Sequence, residues 1–169
     1  MRQNAWTLMC GVLVAVIGSG ALAAQGRRPP TDPEKTGTSM KVSLMAGGQR
    51  YESSAPGECT HAPTASIDGV ASELWTAHQS DKGKSLNLSL WQPKDGSRPM
   101  VSLTLTMGSS THRVSTVRGA SIAGNAKTQF QTAERGGTIT VYAKSAEGAD
   151  IIGTIRCDRF APHIAEGGI

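Results

Sequence analysis

Two of the chain's three cysteines sit where they could do chemistry. Cys59 lies two places before His61 in "PGECTHAP", residues 56 to 63, with Glu58 beside it. Three chemistries are open to such a cluster: the corner of a metal site, a reactive thiol, or half of a disulfide. Zinc and copper sites draw three or four ligands from close spacings. Here there is one close pair, and His78, His112 and His163 are scattered singly. A periplasmic copper-binding alternative would have to gather His61, His78 and His112 with a methionine such as Met100 or Met107, and no spacing brings them together.

The disulfide reading follows from the N-terminus. Met1 to Thr7 carry one basic residue, Arg2, and no acid. The apolar run "LMCGVLVAVIGSGALAA" then closes on Ala21-Leu22-Ala23, small residues at the positions a signal peptidase inspects. Residues 1–23 therefore read as an export signal, with cleavage after Ala23 or, second, Ala24. An uncleaved anchor is the rival, but Leu8 to Ala24 is at the lower limit for a span and carries three glycines. Cys10 follows Thr-Leu-Met, which is not a lipobox, and leaves with the signal. Two cysteines then remain, Cys59 and Cys157, and in an oxidising compartment a pair favours a bridge.

Other constellations are weaker. "GSS" at 108 to 110 stands between two strand-like runs and is not a nucleophile elbow. "RGG" leads into a strand-like run, so no glycine-rich phosphate loop is present. Asp81, Asp95, Glu134, Glu147 and Asp150 sit in turn-like stretches, where acids serve local hydrogen bonds. An envelope hydrolase ranks third, behind the metal alternative, and no cofactor is expected. The mild basic excess, 17 Lys and Arg against 13 Asp and Glu, forms no stripe and does not interleave with aromatics, so nucleic acid is a poor partner.

The elements that must position these residues have period two. "SLNLSLW" sets Leu86, Leu88 and Leu90 against Asn87, Ser89 and Trp91. "MVSLTLTM" and "TITVYA" repeat the alternation, and "IIGTIRC" puts Cys157 on the face of Ile151, Gly153 and Ile155. This is the signal of half-buried antiparallel strands. Strands are expected near 40–45, 48–53, 64–68, 72–79, 85–92, 99–107, 111–118, 127–132, 137–144 and 150–158. Glycine-containing turns between them suit hairpins. The fold expected is all-β: an antiparallel β-sandwich, or flattened barrel, of about 8–10 short strands with one disulfide. The stretch 118 to 127 is the expected crossover between sheets. The domain order is signal peptide (1–23), flexible leader (24–39), β-sandwich (40–160) and frayed tail (161–169).

Aromatic placement suggests where such a body would bind. Trp91 and Tyr142 fall on the polar faces of their strands, and Trp75 shares a face with Ala77 or else points outward. An exposed aromatic on a sheet face can stack on a sugar ring or anchor a protein. Arg113 and Arg156 could flank such a patch. The sequence thus points to an exported, periplasmic or secreted, non-enzymatic β-sandwich. It would bind an envelope protein, a glycan or a small ligand, with no stable membrane span after signal cleavage.

Overall fold

The computed structural model describes residues 37–163 except 123. The expected export signal, residues 24–36 of the expected leader and residues 164–169 of the expected tail lie outside the described residues. Eleven strands are described: β1 (Met40–Ala46), β2 (Gln49–Ser53), β3 (Gly57–Ile67), β4 (Val70–Asp81), β5 (Lys84–Pro93), β6 (Met100–Met107), β7 (Ser110–Ser115), β8 (Asn125–Thr132), β9 (Gly137–Lys144), β10 (Asp150–Cys157) and β11 (Ala161–Pro162).

They form a β-sandwich. One sheet has five strands in the order β2-β1-β10-β9-β8, the other six in the order β11-β3-β4-β5-β6-β7. Both are built largely as meanders, because the links are tight turns. Asp68 and Gly69, and again Lys82 and Gly83, adopt the positive φ that two-residue hairpin turns require. The chain changes sheet at 116–124, which overlaps the stretch 118 to 127 expected to cross but starts two residues earlier. It also changes sheet at 54–56 and 158–160, where the links are too short to stand out as loops.

Alternation fixes the core. Every second residue of β6 is buried, as is every second residue of β9 as far as Val141, so Val101, Leu103 and Leu105 share one core with Ile139 and Val141. Cys59 and Cys157 are buried partners from opposite sheets, joined by a disulfide across a sequence separation of 98, with Cα atoms 6.2 Å apart.

β7 ends at Ser115, three residues short of the expected 118, and two further elements differ from the sequence expectation. The third expected strand, at 64–68, begins seven residues earlier, at Gly57, and so carries Cys59 and His61. Pro63 reads as a strand breaker, but it falls between Ala62 and Ala65, where the β3–β4 register shifts. There its missing N–H breaks no ladder bond. The tail expected to fray from residue 161 instead starts with β11, paired in parallel with Thr60 and His61 of β3. The N–H of His163 donates to the His61 carbonyl at 2.9 Å.

Candidate functional site

The histidines do not converge. His61 faces inward on β3, paired across the ladder with Trp75. His78 is exposed on β4 and hydrogen-bonds Asn87. His112 lies on β7, where its ring packs beside Gly47. Among the described residues no three His, Cys, Asp or Glu side chains come together as metal ligands.

His61 stacks on Trp75, ring centroids 3.5 Å apart and nearly parallel, while its Nε2 meets the Glu73 carboxylate at 3.1 Å. A histidine–carboxylate pair is two parts of a proton relay, but the nearest hydroxyl along the chain is committed elsewhere. Thr60 Oγ1 bonds Thr76 Oγ1 and His163 Nδ1. Trp75 is 7% exposed and closed in by Phe130 and Phe160. Its alternation with Ala77 puts it inside, so this candidate binding residue is a core residue and offers no surface. Its indole N–H is buried without a partner among the described residues.

Trp91 is half-buried on the outer face of the six-stranded sheet, between its ladder partners Leu74 and Met100. Of the three candidate aromatics Tyr142 is the open one, 47% exposed on the outer face of the five-stranded sheet. Its neighbours were not legible in the sequence. Across the strands the register runs Arg50, Met45, Ile152, Tyr142, Lys127 in a single row. Met45 is 39% and Ile152 51% exposed, so an apolar stripe crosses that face between two cations. The candidate arginines do not flank it together. Arg113, on edge strand β7, is bound to Glu147, and Arg156 pairs with Asp158 at 3.6 Å.

The stripe runs into an open cleft of about 1530 Å³ beside β8. One wall is β8 and the outer face of β9 and β10, including Lys127, Tyr142 and Ile152. The other is the 97–100 segment and the crossover after β7, with Met100, Val117 and Arg118. The cleft exists because β7 and β8 are edge strands of different sheets and the crossover between them spans the gap.

One end of that side is closed. The N–H of Ala146, in the β9–β10 turn, donates to the Arg113 carbonyl at 2.8 Å. Glu147 accepts from the Arg113 backbone N–H at 3.1 Å and from its Nε at 3.3 Å. The backbone bond is the largest cause that lowers the Glu147 pKa from 4.5 to about 2. Four cations line the cleft, Arg98, Arg118, Lys127 and Lys144, against one acid, Asp150, which Lys144 holds at 3.3 Å.

No protein-family model matches the chain, and no curated protein and no solved structure matches it.

Proposed function

We propose that the chain is an exported, non-enzymatic β-sandwich that acts by binding, in the periplasm or outside the cell, and that its partner sits in the cleft beside β8. The observation that carries this reading is the exposed Ile152–Tyr142 pair opening into that cleft. An exposed apolar and aromatic strip rimmed by charge is what an interaction surface needs: area to desolvate at its centre and polar groups to set register. The lining also favours binding over hydrolysis, since its one carboxylate is engaged by a lysine and it contains no histidine. Export is supported by the apolar N-terminal run with its Ala-x-Ala close and by the disulfide, a bond that persists in oxidising compartments.

Tyr142 is the anchor to test. Tyr142→Ala should weaken binding of the partner recovered from envelope extract by about tenfold, the effect of losing a modest hot spot. Affinity equal to the parent's would remove the cleft from the reading. Trp91→Ala should have the smaller effect, because Trp91 reaches the cleft only through Met100.

A further inference from the structure

We propose that the cleft takes an acidic polypeptide segment in extended conformation, added as a new strand along the free edge of β8. The inference rests on the binding reading above and names the chemistry of the partner.

The edge is open. β8 pairs with β9 alone, and among the described residues no hydrogen bond reaches it from its other side. Both faces of the strand line the cleft, Ala126 and Thr128 from the inner face, Lys127 and Gln129 from the outer. The space therefore runs along the hydrogen-bonding edge itself. Asn125 to Gln129 of β8 line the cleft, about 16 Å at roughly 3.3 Å per residue, room for a short added strand. Small-molecule pockets are typically about 300–1,000 Å³, and a cleft of about 1530 Å³ is larger. Strand addition draws affinity from main-chain bonds and selectivity from alternate side chains.

Charge selects the partner. Arg98, Arg118 and Lys127 enter no ion pair among the described residues. Asp95 stands near enough to Arg118 to feel its charge, but its carboxylate is bonded to Ser97. An added strand puts one side chain directly across from Lys127, and there an acid is favoured and a base disfavoured. A second copy pairing through β8 would bring its own Lys127 to the same edge, so Lys127 guards against self-association as edge lysines do. Acidic side chains at alternate positions extend the row of Lys127, Tyr142 and Ile152. Small apolar ones between them face Ala126 and Val117.

The test is an NMR titration of the oxidised, exported protein with ten-residue peptides carrying Glu at alternate positions and Val or Thr between. Shifts should concentrate in residues 125–132. N-methylation of one alternate set of peptide amides should weaken binding at least tenfold, and of the other set should not. Lys127→Glu and Arg118→Glu should each give a loss of similar size, with Lys127→Gln intermediate. An oligogalacturonate of equal charge should bind at least tenfold more weakly than the peptide. The inference is overturned if both N-methylated forms bind as the parent does, if the uronate binds as tightly, or if no peptide shifts β8. Uronate binding weakened by Tyr142→Ala would leave the cleft as a binding site and remove the strand. Silence of the cleft towards every probe would remove both.

Discussion

At the residue scale, the buried and half-exposed polar groups are placed to hold the sheets together. Tyr51 donates its hydroxyl to Gln79 Oε1 at 3.1 Å, and Gln79 Nε2 donates to the Ala55 carbonyl at 2.6 Å. Both residues are fully buried, and this network ties β2 of one sheet to β4 of the other. Burial, with the nearby Asp81 charge second, raises the Tyr51 pKa above 10.0. Glu147 does comparable work at the surface by pinning the β9–β10 turn to β7. Its pKa is about 2 in the fold and near 4.5 in the unfolded chain, so its contribution is full above pH 4.5 and fades as pH falls towards 2. Charged hydrogen bonds contribute about 1.5–3 kcal/mol, and exposure reduces that here. Glu147→Gln should therefore lower stability by about 1 kcal/mol at pH 7. The gap between variant and parent in urea melts should narrow towards pH 2.5. A gap that stays constant with pH would show that the charge has no part in the clamp.

At the element scale, the strands were legible because period-two alternation survives in most of them, and the turns because their glycines mark hairpins. The strand that carries the cysteine–histidine cluster was half hidden. Its apolar residues do not alternate, and Pro63 suppresses the reading until the register shift is seen. Parity also does not say what covers an outer face. It could not separate Trp75, sealed by His61, Phe130 and Phe160, from Tyr142, left open beside Ile152. Nor could it show the cleft, which depends on how the crossover spans two sheet edges. Gly153 is an element-scale constraint of another kind. It sits in mid-strand on β10 with φ of 150°, and a Cβ there would run into the Ser43 carbonyl of neighbouring β1. Gly153→Ala should destabilise the protein by at least about 1–3 kcal/mol, read as a lower urea midpoint. A parent-like midpoint would mean that the β1–β10 pair yields more easily than its register implies.

At the scale of the whole molecule, the sandwich is closed twice, by an apolar interior and by one bridge joining β3 near its beginning to β10 at its end. The cleft beside β8 lies where neither closure acts. That division, a stapled body beside an open cleft, underlies both the proposed compartment and the proposed surface. Peptide mapping of the exported protein without reduction, followed by urea melts before and after reduction, tests it most directly. Cys59 and Cys157 should appear in a single linked pair, and reduction should lower stability by up to about 4.7 kcal/mol, the loop-closure figure for a ring of about a hundred residues. Two free thiols, or a midpoint indifferent to reduction, would contradict it.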